Sequence, residues 1–290
     1  MNEVPEQPRC GPDSTLGLAV ATMADRLPVL QRFVEESARG LQDFDQVIIV
    51  VQGSSGAGIP EQERMIREIG VRAQVVASPL TGISRSRNTA LEQVATDFLW
   101  FVDDDVVIET DAAKEIKASL ARVSGDAVTV RIRCLEDPDQ LYKTYGPQRE
   151  IRRLHALKVS SIEIIVNVFA VRALAIVFPE QLGLGTALPA GEENLFLLEL
   201  LARGGAIRHL PVVAGRHTCT DTRREKEWRN PAILRAKGIV ARRLGLTLGL
   251  PLILRWWFRE SRRGMPYRYG RHLCDGFFRS RRYLSDTPGR

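Results

Sequence analysis

The chain has 290 residues, of which 44% are hydrophobic and 26% charged, so it can form one large globular domain or a domain with an appendage. The net charge of +6 is uneven, because residues 236–290 carry 13 Lys/Arg against 3 Asp/Glu while the first 235 residues have a net charge of −4. The sequence shows neither a secretory leader nor an apolar run of the roughly 18–20 residues that span a bilayer. We therefore expect a cytoplasmic protein that is at most peripheral on a membrane.

The predicted elements alternate between apolar runs and helically spaced segments. Residues 1–14 are polar and are expected to be disordered. The next seven predicted elements are strand 16–21, helix 26–40, strand 47–51, helix 61–69, strand 73–77, helix 84–94 and strand 98–102. Strands joined by such helices form parallel pairs, so we predict a mostly parallel α/β sheet with a ligand crevice at the carboxyl ends of its strands.

The second half of the chain is less regular. The predicted elements are helix 112–123, strand 127–132, an irregular polar span at 136–160, strand 162–171, helix 195–203 and strand 207–213. Four cysteines, at 10, 134, 219 and 274, lie far apart without metal-finger spacing, which favours reduced thiols in a cytosolic protein. There is no internal repeat. We place an α/β domain at 15–225 and a basic, amphipathic helical region at 226–290.

Three consecutive aspartates, Asp103, Asp104 and Asp105, follow the apolar run of the fourth predicted strand. Adjacent carboxylates repel one another, so the cluster favours a bound cation unless it is a solvated turn. Oxygen ligands suit Mg²⁺ or Mn²⁺, and these ions in turn suit a diphosphate. The rest of the chain decides between the two interpretations.

Four features occur in a fixed order around this cluster. A strand ends in Gln52-Gly53-Ser54, residues 82–88 read Gly-Ile-Ser-Arg-Ser-Arg-Asn, the aspartates follow, and residues 191–194 read Gly-Glu-Glu-Asn. Together they resemble the family-2 glycosyltransferases over about residues 15–220. The resemblance implies the GT-A nucleotide-sugar-binding fold and an inverting, metal-dependent hexosyltransferase that uses a nucleoside-diphosphate sugar.

The same resemblance assigns the donor side of the site. Asp105 would ligate the metal, with Asp103 on the ribose or assisting the metal and Asp104 in the same nucleotide-binding turn. Arg87 would line the nucleotide pocket, whereas Arg85 is expected to face solvent. Thr22 and Gln52 would lie against the nucleotide at two strand ends. Many relatives have an aspartate at the Gln52 position, but an amide can still pair with a uracil edge, so UDP remains the expected nucleotide.

The acceptor side follows from the paired acids. Glu193 matches the position of the family's general base, which would deprotonate the acceptor hydroxyl. Glu192 and the glycine-rich entry at Gly185 are assigned to the acceptor side, although both acids also suit the positive end of a helix dipole. His217 would complete the metal site or remain a structural histidine.

The basic C-terminal region combines arginines with the apolar run 244–254 and the pair Trp256-Trp257. These features suit an anionic membrane surface, although an ordinary core helix pair with solvated arginines has the same composition. Together with this region, the family resemblance implies a glycan or lipid-linked acceptor at the inner face of the cell membrane, in surface polysaccharide or glycolipid synthesis. No nucleic-acid motif accompanies the charge.

Two alternatives remain open at this point. One is a non-catalytic membrane-docking protein that retains the GT-A fold. The other is a nucleotidyltransferase, although the glycine- and lysine-rich phosphate loop of that class is missing near the N-terminus.

Overall fold

The structure is a computed structural model that describes residues 13–56, 59–145, 150–219, 230–262, 264 and 266–285. The predicted disorder of the N-terminus falls almost wholly outside these ranges, as does the predicted boundary between residues 225 and 226. The described residues form two compact units. The first runs up to Thr81 and adds Arg85–Val177 and Leu200–Cys219, and the second contains Gly82–Ser84, Phe178–Glu199 and the residues from 230 onward.

All strands of the described chain belong to one eight-stranded sheet in the first unit. They are β1 (Leu16–Met23), β2 (Gln46–Gln52), β3 (Gln74–Ser78), β4 (Phe98–Asp103), β5 (Val107–Ile108), β6 (Ala127–Cys134), β7 (Ile164–Asn167) and β8 (Ile207–His217). Their order across the sheet is β3-β2-β1-β4-β7-β6-β8-β5. Strands β3, β2, β1 and β4 are mutually parallel, as are β6 and β8, whereas β7 and β5 run antiparallel to their neighbours.

The helices alternate with the strands along the chain and continue into the C-terminal part of the second unit. They are α1 (Leu27–Leu41), α2 (Ile59–Glu68), α3 (Ile83–Gln93), α4 (Ala112–Leu120), α5 (Arg153–Ala156), α6 (Val168–Ala173), α7 (Glu192–Ala202), α8 (Pro231–Arg243), α9 (Leu246–Arg262), α10 (Gly270–Phe278) and α11 (Ser280–Ser285). Helix α1 shows why they form, since Leu30, Phe33, Val34 and Leu41 recur at helical spacing and are all buried.

The parallel half of the sheet aligns the strand ends that matter for the site. Met23 at the end of β1 is in register with Gln52 at the end of β2, and Ala21 is in register with Asp103 at the end of β4. Parallel strands have their carboxyl ends at one edge, so the polar residues after these apolar runs lie at a common edge. The predicted βα alternation through residue 103 is thus present in the structure.

The prediction of a single strand over 162–171 is wrong. Strand β7 ends at Asn167, whose side-chain oxygen accepts a hydrogen bond from the Ala170 amide at 3.0 Å and caps helix α6. An asparagine that satisfies a free helical N–H favours starting a helix over extending a strand. The short β7 lies antiparallel between β4 and β6.

In the second unit, helices α8, α9 and α10 share a small apolar core. Its fully buried members are Leu234, Ala241, Ile253, Leu273 and Phe277. Gly238 on α8 and Gly276 on α10 face the backbone of the opposite helix, which leaves no room for a Cβ at either position. These two glycines allow the close approach of α8 and α10.

A buried histidine, His209, lies on β8 beside the parallel strand β6. The Arg131 Nε donates to His209 Nε2 at 3.4 Å, so Nδ1 carries the proton and faces the Thr129 hydroxyl at 2.9 Å. The Tyr145 ring packs 4.7 Å from the imidazole. Burial, followed by the charge of Arg131, lowers the pKa of His209 from 6.5 to about 4.

We predict that His209 makes the folded state sensitive to acid. Its pKa is lower in the folded than in the unfolded chain, so its stabilising effect is present above pH 6.5 and is lost as the pH falls toward 4. The loss amounts to about 3 kcal/mol. Urea unfolding of wild type and His209→Asn at several pH values tests this, because asparagine keeps a partner for Thr129 but does not titrate. Parallel pH profiles for the two proteins would contradict it.

Candidate functional site

The candidate site is built at the carboxyl edge of β1, β2 and β4 in the first unit. Thr22 lies at the end of β1 and Gln52 at the end of β2, and both are buried. Asp103 is the last residue of β4, and Asp104 and Asp105 form the turn that follows it. The structure therefore brings the predicted nucleotide-side residues of β1 and β4 together.

Asp104 is buried and is held by two neighbours. Arg26, in the turn after β1, donates from Nε to Oδ2 at 3.0 Å and from Nη2 to Oδ1 at 2.7 Å. The Thr22 hydroxyl donates to Oδ2 at 2.6 Å. The hydrogen bond that Arg26 donates to Asp104, opposed by partial burial and aided by the charges of the nearby carboxylates, raises the pKa of Arg26. This bidentate pair fixes the acidic turn to the end of β1.

Asp103 is paired with a buried arginine from α3, the helix that precedes β4 in the chain. Arg87 on α3 donates from Nη2 to Asp103 Oδ1 at 3.2 Å, and only 3% of its side chain is exposed. The guanidinium predicted to face the nucleotide therefore also holds the carboxylate of Asp103. Arg85 on the same helix is only half-buried.

Asp105 is the most exposed of the three aspartates, with 42% of its side chain accessible. His217, the last residue of β8, places Nε2 at 3.3 Å from Asp105 Oδ1. Burial opposes the charging of this imidazole, but the hydrogen bond and charge of Asp105, together with the Thr218 carbonyl and Asp103, raise the pKa of His217. The two predicted metal ligands are thus adjacent although 112 positions separate them in the sequence.

A hydrogen bond to a backbone carbonyl fixes the orientation of the His217 ring. Its Nδ1 lies 2.8 Å from the Thr218 carbonyl, which can only accept, so Nδ1 carries a proton and Nε2 points at Asp105. The Tyr142 ring packs edge-on at 5.2 Å. Metal-binding histidines commonly present one nitrogen while the other donates to a backbone carbonyl, and this ring has that arrangement.

The disulfide between Cys134 and Cys219 overturns the expectation of reduced thiols for these two residues. It joins the end of β6 to the residue two positions beyond His217, across a sequence separation of 85. The pairing was invisible in the sequence because it depends on β6 and β8 being neighbours, with Cys134 in register with His217. Cys274 is free. Cytosolic reductants keep thiols reduced, so this bond is where the structure departs from a cytosolic expectation.

The site suits a divalent cation only when a substrate supplies further ligands. No group of three or more histidine, cysteine, aspartate or glutamate side chains within the described ranges is arranged to hold a metal. Asp105 and His217 nevertheless offer one carboxylate and one oriented imidazole. Mg²⁺-type sites often use one or two protein ligands and complete their coordination with phosphate oxygens. The donor set therefore fits an ion that is bound together with a diphosphate.

The predicted acceptor-side residues belong to the second unit. Glu192 and Glu193 occupy the first turn of α7, and Glu192 is buried while Glu193 is only half-buried. The turn before them needs glycine, because Gly183 and Gly191 have φ values of 100° and 85° and a Cβ on Gly183 would crowd the Glu192 carboxylate. Gly185 also lies in the left-handed region, with φ of 86°. Of the two acids, Glu193 is the more accessible to a substrate.

Arg26 and Tyr142 belong to the site and were missed from the sequence. Arg26 falls three residues after β1, where a cation facing the acidic turn could have been expected from the need to neutralise a buried carboxylate. Tyr142 lies in the irregular span that gave no pattern to interpret. Its contact with His217 arises only from tertiary packing.

Comparison with known proteins agrees with the geometry. The model of the Glycosyl transferase family 2 matches residues 20–175, which is more than half of the chain. No curated protein matches the chain. The recognised resemblance to this family is thereby confirmed.

Solved structures of TarS from S. aureus share the fold. TarS 1-349 in complex with UDP-GlcNAc has a TM-score of 0.60 at 16% identity over 79% of this chain and 66% of that one. TarS 1-349 alone gives 0.56 at 17% identity over 95% and 74%. A longer TarS structure gives 0.54 at 17% identity over 78% of this chain and 39% of that one, so this chain spans about two fifths of it. These likenesses confirm the predicted α/β fold class.

We predict that the Cys134–Cys219 bond stabilises the first unit. Closing a loop of this length lowers the entropy of the unfolded chain, an effect of about 4 kcal/mol on the free energy of unfolding. The double variant Cys134→Ser/Cys219→Ser should unfold at lower urea concentration, whereas Cys274→Ser should not. Alkylation and peptide mapping without reductant should recover the bridged peptide. Full alkylation of both cysteines under those conditions would contradict the prediction.

Proposed function

Since the chain belongs to glycosyltransferase family 2, we propose that it transfers a sugar from a UDP-sugar to a hydroxyl of a glycan or lipid-linked acceptor, with inversion at the anomeric carbon. The observation that carries the proposal is the convergence of the Asp103–Arg87 and Asp105–His217 pairs at the carboxyl edge of the parallel strands. This is where open α/β sheets bind ligands. The complex of TarS with UDP-GlcNAc supports a nucleotide-sugar donor.

The donor side is assigned to the first unit. Gln52 and Thr22 would flank the nucleoside at the ends of β2 and β1, and Gln52 offers an amide donor and acceptor to a base edge. Asp103, held by Arg87, would accept a ribose hydroxyl. Asp104 shapes this pocket indirectly, because Arg26 and Thr22 already engage its carboxylate.

Asp105 and His217 would hold Mn²⁺ or Mg²⁺ through Oδ1 and Nε2. When bound, the ion would neutralise negative charge that develops on the departing nucleoside diphosphate. The protein's own contribution is orientation. The Thr218 carbonyl fixes the ring of His217, and Arg26 and Arg87 hold the carboxylates of Asp104 and Asp103.

Glu193 is the proposed general base. Its carboxylate would take the proton of the acceptor hydroxyl as that oxygen forms a bond to the anomeric carbon, while the bond from that carbon to the diphosphate oxygen breaks. The half-buried position at the start of α7 supports this role over Glu192, which is buried against the Gly183 turn. Glu192 and Gly185 would shape the acceptor side.

The acceptor is proposed to be presented at a membrane, in surface polysaccharide or glycolipid synthesis. No helix of the described residues is long and apolar enough to cross a bilayer. The proposed location is therefore peripheral, and the basic C-terminal region supplies the charge for it.

The first test removes the proposed metal ligand. We expect Asp105→Asn to weaken Mn²⁺-dependent UDP binding by at least roughly tenfold, because one carboxylate of a two-ligand site is lost. Titration calorimetry with UDP, with and without Mn²⁺, measures this. Asp111→Asn is the matched control, since Asp111 is an exposed aspartate of the same unit.

Two results would contradict the assignment of the donor site. Undiminished Mn²⁺-dependent affinity in Asp105→Asn would remove Asp105 as a ligand. A wild-type chain that binds no UDP in the presence of Mn²⁺ would favour the alternative of a docking protein that has lost catalysis.

The second test concerns the base. Glu193→Gln should leave UDP affinity unchanged but reduce sugar transfer by roughly 10²-fold to 10⁴-fold, because a positioned base contributes on that scale. A screen of UDP-sugars for transfer or slow hydrolysis provides the assay. Glu115→Gln removes an exposed acid from the first turn of α4 and should leave turnover unchanged. Near-normal turnover in Glu193→Gln would exclude this residue as the base.

A further inference from the structure

Helix α9 buries one face and exposes the other. Gly249, Ile253 and Glu260 are buried, and Gly249 lies against the backbone of Ala241 on α8. Residues at spacings of three and four share a face of an α-helix, so this row fixes which side of α9 packs on its neighbours. The opposite side is exposed along its length.

The exposed side of α9 carries two adjacent stripes. The apolar stripe consists of Pro251, Leu254 and Phe258, and the side chains of Leu254 and Phe258 are 46% and 68% exposed. The basic stripe consists of Arg255, Arg259 and Arg262, all exposed. Each stripe repeats at three and four residues, so the two run side by side along the helix.

The basic stripe has charge to offer to a partner. Among the described residues, neither Arg255 nor Arg262 has an ion-pair partner, whereas Arg259 is paired with Glu260 at 2.6 Å. Two guanidinium groups therefore lie beside exposed leucine and phenylalanine side chains, with no acidic partner among the described residues. Burying Leu254 and Phe258 would be favourable only where the arginines keep a polar, anionic environment.

We propose that the exposed face of α9 docks on an anionic phospholipid surface. The apolar stripe would enter the boundary between headgroups and acyl chains while the basic stripe binds lipid phosphates, which is how an amphipathic helix lies in a membrane interface. A second copy of this chain would bring the same arginines face to face across a two-fold interface, which disfavours that occupant. The inference deepens the proposed function, since it names the surface that would bring the enzyme to a lipid-linked acceptor.

The test measures binding of the full-length chain to sedimenting vesicles of phosphatidylcholine, with and without phosphatidylglycerol. We expect binding only with phosphatidylglycerol, and weaker binding at higher salt. Arg255→Glu/Arg262→Glu should weaken it by at least roughly tenfold. Leu254→Ser/Phe258→Ser should also weaken it, because the apolar contribution is lost.

Matched variants on the first unit control for charge and exposed apolar area. Arg32→Glu/Arg122→Glu changes the net charge equally, and both arginines are exposed. Leu154→Ser/Val177→Ser removes apolar side chains that are 52% and 63% exposed. Both controls should keep wild-type binding, and circular dichroism verifies that every variant is folded.

Several results would contradict the proposal that this face of α9 docks on an anionic membrane. They are equal binding to neutral vesicles, no binding to either composition, and equal losses in the control variants. A change of oligomeric state in the α9 variants, without a change in vesicle binding, would identify an interface between copies instead. UDP binding is measured on the same samples. Vesicle binding that follows the prediction therefore supports the docking face even if the protein binds no UDP.

Discussion

Three neighbouring carboxylates at the end of β4 repel one another, and each has a different basic side chain as its partner. Arg87 reaches Asp103 from α3, Arg26 reaches Asp104 from the turn after β1, and His217 reaches Asp105 from the end of β8. Like charges this close would otherwise repel one another and destabilise the turn. The acidic turn therefore ties together elements that are far apart in sequence, and the geometry of the candidate site depends on these pairs.

The three pairs are not equivalent, and the difference decides what each carboxylate can do. Side-chain exposure rises from 5% at Asp104 to 30% at Asp103 and 42% at Asp105. A buried, bidentate pair such as Asp104–Arg26 is costly to break, so it holds the turn in place. An accessible carboxylate beside an imidazole can exchange partners. The run of aspartates thus combines one structural anchor with an outward-facing carboxylate–imidazole pair, Asp105 and His217.

The sequence predicted the parts of the molecule that local patterns determine. The strands β1 to β4 and their helices follow from apolar runs and helical spacing, and the polar residues after those runs mark the carboxyl edge. The antiparallel β7, the disulfide and the partners of Asp104 depend on which strands become neighbours, and no local pattern contains that information. Asn167 carried a local signal for a helix start, because a residue that can cap a helix lies within an apolar run. The apolar run itself, however, predicts one strand.

The pair of Asp105 and His217 is positioned by the sheet rather than by the loops around it. Asp105 follows β4 by two residues, and His217 is itself the last residue of β8. The bond from Cys134 to Cys219 joins β6 to the chain just beyond His217 and limits how far this end of β8 can move. A catalytic constellation must be held within a fraction of an ångström, and rigid elements achieve this better than loops. Reduction of this bond would therefore affect the candidate site through the position of His217, although neither cysteine belongs to the acidic turn.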